Sequence, residues 1–156
     1  MEPVFQKCKK HNEFFKILPL DWQDTIISNW ESYEQSGVIY VLKDNKKIIA
    51  GGIVFSENPP KPTPLELKHT HLFKQGYLYL GFIFVLEEYR QKKLASKWLL
   101  EVKNSYKKPK FWLSIEDYSL HSFYQKNGFK IIGSTNISLS FNNKFLSTLL
   151  NSLLSS

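Results

Sequence analysis

Cysteine is nearly absent from this chain of 156 residues, which has Cys8 alone. A single thiol excludes an intrachain disulfide and any zinc site built from several cysteines. Long apolar runs are also missing, since no stretch approaches the roughly 18–20 residues of a membrane-spanning helix. The first twenty residues are broken by charges and prolines and have no apolar segment like that of a secretory leader. We therefore expect a cytoplasmic protein with no membrane partner.

Two well-known glycine-rich phosphate motifs are absent as well. The sequence contains neither G-x-x-x-x-G-K-[ST] nor G-x-G-x-x-G, and Gly51-Gly52 is an isolated pair within a predicted strand. A nucleotide-hydrolysing P-loop and a dinucleotide fold are therefore not expected. A metal site is not expected either, because His69 and His71 have no carboxylate or third histidine at ligand spacing.

Positive charge is what the sequence has in excess. It contains 21 Lys and Arg against 14 Asp and Glu, a formal net charge of +7. Such an excess predicts an anionic partner, and nucleic acid, a membrane surface and a phosphorylated cofactor all fit it. The apolar fraction of 42% and the charged fraction of 22% are ordinary for a folded protein and exclude intrinsic disorder. The length predicts a single domain over residues 1–156.

Strand and helix patterns alternate along the chain in the order β-α-α-β-β-β-α-β-α-β-β, which indicates one mixed α/β domain. Asp21 is the predicted N-cap of a helix that runs to about Gln35. Residues 56–75 contain four prolines and are predicted to form a long loop with a short helical turn near its end. The apolar run 77–86 is typical of a buried central strand, and Gly81 within it suggests a bulge or a close backbone approach.

The end of the chain, residues 142–156, has leucines at helical spacing and one charge, Lys144. This pattern predicts a C-terminal helical tail. Two interpretations remain open: the tail packs on its own sheet, or its broad apolar face forms a homodimer contact.

A helix predicted over residues 90–106 opens on Arg90-Gln91-Lys92-Lys93. Cations in a first helical turn oppose the helix dipole, which favours anions there. The conflict is removed if an anion is bound at that end by free backbone N–H groups. The sequence therefore predicts a phosphate site at a strand–turn–helix junction, with a solvated charged face as the alternative.

A second informative segment follows the next strand. Asp117 and Leu120 precede a short helix with Phe123 and Tyr124, and Gly128 is suited to the left-handed position after the helix end. Residues 77–129 together resemble the GNAT superfamily of acyl-CoA-dependent N-acetyltransferases. Residues 85–95 are similar to its V-x-P-x-x-R-x-x-G-x-G/A loop, with Lys93 and Ala95 in place of the glycines. Residues 117–129 are similar to its N-x-x-A-x-x-L-Y-x-x-x-G-F segment.

The resemblance implies a GNAT-like α/β (α+β) fold, with a mostly antiparallel sheet of six to seven strands and about four flanking helices. It implies acetyl-CoA as co-substrate and an amine acceptor: a small molecule, a peptide or an aminoacyl-tRNA. It also implies that backbone groups of Ile83 and Val85 hold the pantetheine arm of coenzyme A. The remaining cofactor-binding residues by this match are Arg90, Gln91, Lys92, Lys93, Leu94, Ala95, Asp117 and Tyr124.

In such enzymes a neutral amine attacks the thioester carbonyl directly and coenzyme A leaves as a thiol. By the motif match, a backbone N–H near Val85 polarises the carbonyl, and Tyr124 is the catalytic general acid to the thiolate. The general base stays open, since the predicted central strand offers Tyr77 and Tyr79 and no carboxylate. The candidates are Glu57, Glu66, His69, His71 and Glu116, and for each a surface position is the simpler interpretation.

Two other functions fit parts of the sequence. The replacement of a loop glycine by Lys93 and the missing base favour a non-catalytic module that binds coenzyme A. The charge and the aromatic residues favour a nucleic-acid- or tRNA-directed protein, although no recognised nucleic-acid motif accompanies them.

Overall fold

The computed structural model describes residues 1–115, 117–134 and 137–142 of the chain. The strands in these ranges are β1 (Val4–Lys7), β2 (Gly37–Asp44), β3 (Lys47–Phe55), β4 (Leu78–Val85), β5 (Lys110–Ile115), β6 (Lys130–Ser134) and β7 (Ile137–Asn142). The α-helices are α1 (His11–Phe15), α2 (Leu20–Tyr33), α3 (Pro64–Lys68), α4 (His71–Lys74), α5 (Leu94–Asn104) and α6 (His121–Lys126). Short 3-10 helices span Glu87–Tyr89 and Tyr118–Leu120.

One seven-stranded sheet, in the order β1-β2-β3-β4-β5-β7-β6, organises the fold. Neighbouring strands are antiparallel except for β4 and β5, which are parallel. The predicted mixed, mostly antiparallel sheet is therefore confirmed. β2 and β3 form a hairpin through Asn45 and Lys46, and Asn45 has the positive φ of 55° that such a tight turn uses.

Each face of the sheet carries its own hydrophobic core. On one face lies α5, with Leu94, Trp98, Leu99 and Val102 buried. On the other face lie α1 and α2, with Phe14, Phe15, Ile26 and Trp30 buried. The strands between the two layers are buried on both faces at their centres, as the continuous apolar runs predict.

Several predicted boundaries are wrong. Asp21 does not cap α2: the helix begins at Leu20, and Pro19, with φ −55° and ψ 149°, holds the N-cap position. No side chain caps this helix start, and the preset φ of proline suits its position there. The loop predicted over 56–75 contains two short helices, α3 and α4. The helical tail is predicted over 142–156, but Asn142 ends β7, and the rest of the predicted tail, with its dimer contact, lies outside the described residues.

Candidate active site

The sheet opens between β4 and β5. These parallel strands are paired only through Leu78 with Phe111 and Tyr79 with Trp112, and beyond that point the described residues form no further pairs between them. Because neighbouring strands in a sheet normally stay about 4.8 Å apart, their separation exposes backbone groups and leaves a cleft through the middle of the sheet.

A bulge in β4 accompanies this opening. Ile53 pairs with Gly81 and Gly51 pairs with Phe84, so Phe82 and Ile83 together face one residue of β3. Phe82 has the unusual φ of 54°. A Cβ on Gly81 would lie 2.9 Å from the Tyr79 ring, so the close approach predicted at this glycine is confirmed.

A cavity of about 490 Å³ fills the cleft. Its wall on the α5 side includes Leu80, Leu113 and Tyr124, which belong to one core, and its wall on the α2 side includes Tyr79 and Trp22, which belong to the other. The cavity is therefore lined from both layers of the fold. Two reactants could meet between the strands after entering from opposite faces.

Glu66 lies in the wall of this cavity and is buried, at 6% exposure. The Tyr79 hydroxyl donates a hydrogen bond to Oε2 of Glu66, and the Ser114 Oγ donates to the same oxygen at 3.0 Å. The Thr63 backbone N–H donates to Oε1 at 2.8 Å, while the Thr63 side chain accepts from the Glu66 N–H at 3.1 Å. This reciprocal capping box starts α3 and orients the carboxylate toward the point where β4 and β5 separate.

Tyr79 stays protonated and acts as a hydrogen-bond donor in this network over the whole physiological pH range. Burial and the neighbouring Glu66 carboxylate raise the pKa of Tyr79 well above its ordinary value. Its hydroxyl also lies 3.2 Å from the Ser114 Oγ. Three donors thus converge on one buried carboxylate, which accepts about four hydrogen bonds when ionised, so about one acceptor position is left.

Tyr124 also lies in the cavity wall, on the α5 side, and is 7% exposed. Its ring makes edge contacts with Phe123 and Phe129, at centroid distances of 5.0 and 5.6 Å. Its hydroxyl has no hydrogen-bond partner within the part of the chain that the structure describes. Burial raises the pKa of Tyr124 to about 12. The phenol is therefore protonated at neutral pH, and its hydroxyl makes no hydrogen bond among the described residues that would stop it from donating one to a ligand.

The sequence predicts that the basic segment 90–93 is the first turn of a helix. In the structure this segment is a loop, so the prediction is wrong. Gln91 and Lys93 have φ values of 63° and 59°, and α5 begins at Leu94 with Lys93 as its N-cap residue. Left-handed residues cannot continue an α-helix, which explains the later start. Lys93 nevertheless has the backbone conformation that a glycine would favour, so its side chain does not change the shape of the loop.

A second cavity of about 350 Å³ lies against this loop. Its walls are formed by Val85, Tyr89, Arg90, Gln91, Lys93, Leu94, Ala95, Ser96 and Phe123. The Arg90 Nε donates to the Val85 carbonyl at 3.1 Å, which ties the loop to the end of β4. Lys92 lies with its Nζ 5.3 Å from the centre of the Tyr89 ring. The loop thus combines exposed cations with the unpaired N–H groups of a helix start, an arrangement suited to a phosphate group.

The sequence-predicted cofactor residues divide between the two cavities. Ile83, Asp117 and Tyr124 line the cleft, while Val85, Arg90 and the loop residues through Ala95, except Lys92, line the second cavity. Asp117 is exposed, and hydrogen bonding with Ser119 lowers the pKa of its carboxyl group.

Of the candidate bases in the described ranges, Glu66 alone lines the cleft, so its predicted surface position is wrong. Glu57 is exposed and accepts from the Ser36 hydroxyl at 2.7 Å. His69 packs against Trp112 with its rings' centroids 6.0 Å apart, and burial, followed by His71, lowers its pKa. His71 is exposed. Glu116 lies outside the described residues.

Sequence reasoning missed the partners of Glu66. The pattern Thr63-Pro64-Leu65-Glu66 is the capping-box signature and predicts the start of α3, but nothing in it places the carboxylate against Tyr79. Ser114 carries no sequence signal of its own. These contacts depend on the packing of the 56–75 segment onto the separated strands.

Residues 1–115, 117–134 and 137–142 contain no group of three or more His, Cys, Asp or Glu side chains that could hold a metal ion. Within the same ranges, every helix is too short or too polar to cross a bilayer.

Comparison with known proteins gives a consistent result. The model of the acetyltransferase (GNAT) family matches residues 7–129. A search of curated proteins finds no match.

Solved structures with the same fold include three acetyltransferases. An acetyltransferase from Bacillus subtilis in complex with CoA has a TM-score of 0.62 at 14% identity, covering 90% of this chain and 99% of the other. The PaiA N-acetyltransferase from Thermoplasma acidophilum, in complex with coenzyme A, has a TM-score of 0.59 at 14% identity, covering 91% and 99%. An N-acetyltransferase from Staphylococcus aureus Mu50 has a TM-score of 0.59 at 15% identity, also covering 91% and 99%.

Proposed function

The chain belongs to the acetyltransferase (GNAT) family, and from this premise we propose that it transfers an acetyl group from acetyl-CoA to a primary amine. The observation that carries the proposal is the cleft between β4 and β5, which joins a protonated Tyr124 on one face to a buried carboxylate on the other. Fold neighbours bound to coenzyme A support the choice of co-substrate.

Coenzyme A would lie on the α5 side. Its pyrophosphate would rest on the loop 90–95, held by the backbone N–H groups before α5 and by the cations of Arg90, Lys92 and Lys93. The pantetheine arm would follow the end of β4 past Val85 and Ile83, so that the thioester reaches the cleft. Backbone N–H groups at this end of β4, where the strand has separated from β5, would donate to the thioester carbonyl and polarise it.

The chemical step would then be direct transfer. A neutral amine attacks the thioester carbonyl carbon, a C–N bond forms, and the collapse of the tetrahedral intermediate breaks the C–S bond. The departing thiolate takes a proton from the Tyr124 hydroxyl. This hydroxyl donates no hydrogen bond to any other described residue. Tyrosinate is reprotonated by the proton that the amide nitrogen loses.

The test is release of free thiol from acetyl-CoA in the presence of a panel of primary amines, with the N-acetyl product identified by mass spectrometry. The proposal predicts one thiol per amide formed. The variant Ala95→Phe places a bulky side chain in the wall of the second cavity and should weaken acetyl-CoA binding. Absence of thiol release with every amine, from a folded protein that also fails to bind acetyl-CoA, would refute the proposal.

A further inference from the structure

The cleft is built differently on its two faces, and the α2 face bears on the acceptor. Trp22 on α2 meets Phe82 edge to face at a centroid distance of 5.9 Å and Phe84 at 6.0 Å. Trp22 and Phe82 both line the cleft and both are only half-buried, so part of each ring is free for a ligand. Edge and face contacts with such rings favour flat apolar groups.

Two prolines continue this apolar wall. Pro59 and Pro60 are buried and line the same cavity. Neither has a backbone N–H, so this part of the wall offers few hydrogen-bond donors to a polar ligand. The wall is therefore suited to an apolar group.

The described groups that line the cleft have a net negative charge, whereas the whole chain has a net positive charge. The chain has a formal charge of +7, yet among the described residues the charged groups in the cavity wall are Glu66, Asp117 and Lys61, two carboxylates and one ammonium. The cations of the loop before α5 line the other cavity. A polyanion is therefore disfavoured in the cleft, whereas a cation is attracted to it.

Glu66 provides the contact point for that cation. Its carboxylate is buried in the wall, and the donors from Tyr79, Ser114 and Thr63 leave about one acceptor position open. Tyr79 and Ser114 act as positioning residues. Their hydroxyl groups hold the Glu66 carboxylate in place, and the carboxylate, not these hydroxyls, contacts the ammonium. An ammonium group that takes the open position would form a charge-assisted hydrogen bond within a low-dielectric site.

We infer that the acceptor is a small primary amine on an aromatic or similarly flat apolar group, with its ammonium at Glu66 and its apolar part against Trp22 and Phe82. The inference rests on the proposed function and narrows its acceptor, in preference to a peptide lysine or an aminoacyl-tRNA. The ammonium gives one proton to the Glu66 carboxylate. The resulting neutral amine attacks the thioester, and Glu66 returns its proton to solvent when the product leaves.

The inference is tested by calorimetric titration of three probes into the protein saturated with coenzyme A. The probes are phenethylamine, which has ring and charge, 2-phenylethanol, which lacks the charge, and butylamine, which lacks the ring. A buried charge-assisted hydrogen bond and a ring contact should each be worth about tenfold or more in affinity, so phenethylamine should bind tightest.

Two variants separate the contributions. Glu66→Gln should bring the affinities of phenethylamine and 2-phenylethanol to within about twofold of each other, because the charge contact is lost. Trp22→Leu should do the same for phenethylamine and butylamine, because the ring contact is lost. Glu57→Gln makes the same chemical change at an exposed carboxylate outside the cleft and should leave both ratios as in the wild type. Circular dichroism checks that each variant is folded.

The outcomes distinguish the inference from the function on which it rests. Equal affinities for the three probes, binding of none of them, or ratios that survive Glu66→Gln would overturn the inference. Acetylation of a charged tRNA or a peptide lysine in preference to phenethylamine would also overturn it, while leaving the acetyltransferase function in place. The expected affinity ratios without any thiol release from acetyl-CoA would support the amine site and refute the acetyltransferase function.

Discussion

Replacement of Tyr124 by Phe tests the proposed proton donor with little disturbance of the fold. The ring contacts with Phe123 and Phe129 are kept, and the deleted hydroxyl has no hydrogen-bond partner within the described ranges. No buried donor or acceptor is therefore stranded, and the free energy of unfolding should change by less than about 1 kcal/mol. Tyr118→Phe is the matched control, since Tyr118 is 65% exposed and does not line the cleft.

The catalytic effect should be much larger. Loss of a positioned general acid typically lowers turnover by about 10²–10⁴-fold, which corresponds to about 2.7–5.5 kcal/mol in the activation free energy. Burial raises the pKa of Tyr124 to about 12, so the phenol is protonated from neutral pH to about pH 10. Its ionisation should therefore cause no loss of activity between pH 7 and about 10.

The assay is thiol release at saturating acetyl-CoA and amine, together with the stabilisation of each variant by acetyl-CoA. Tyr124→Phe should lower kcat while it keeps the stabilisation by acetyl-CoA, and Tyr118→Phe should change neither. A kcat for Tyr124→Phe within about twofold of the wild type would refute the role of this hydroxyl.

The remaining predictions concern backbone conformation and charge. Gly128 and Gly76 have φ values of +91° and +87°, but only at Gly128 would a Cβ approach an aromatic ring, at 2.9 Å. Replacement by alanine should therefore lower the free energy of unfolding in urea by about 2–3 kcal/mol at Gly128 and by about 1 kcal/mol at Gly76. Equal losses at the two positions would contradict this prediction. Lys93→Val should lower the free energy of unfolding by about 1–2 kcal/mol, because β-branched residues strongly disfavour φ near 59°. Lys92→Val is the control and should change the free energy of unfolding little. A larger loss for Lys92→Val than for Lys93→Val would show that the loop has another conformation. Burial lowers the pKa of Lys103 from 10.5 to about 8, so the folded state binds fewer protons than the unfolded state between these values. The contribution of this lysine to the free energy of unfolding should therefore rise with pH across that window by up to about 1–3 kcal/mol. The difference in the free energy of unfolding between the wild type and Lys103→Met measures this rise. A difference that does not change with pH would mean that the ammonium is not desolvated.

The strands and the main helix α5 were predictable because their patterns are strong. The apolar run 77–86 predicts a strand, and β4 lies within it. The helix predicted over residues 90–106 contains α5, whose apolar residues recur at helical spacing. The left-handed position at Gly128 was predictable because glycine after a short helix has a specific geometric use.

Two features were beyond the sequence for physical reasons. Lys93 and Gln91 carry no signal of a positive φ, so the helix was expected to begin at Arg90, although it begins at Leu94. Glu66 reads as an ordinary surface carboxylate or capping residue, and its burial against Tyr79 follows from tertiary packing. A buried polar network is set by contacts between distant segments, which periodicity does not encode.

The proposed function requires that the loop before α5 and the cleft beside β4 bind acetyl-CoA. Thermal unfolding with and without this ligand measures that binding and needs no knowledge of the acceptor. At about 100 times its dissociation constant, acetyl-CoA should add about 2.7 kcal/mol to the free energy of unfolding, and Ala95→Phe should reduce that gain. An unfolding temperature that millimolar acetyl-CoA leaves unchanged would contradict the proposed function.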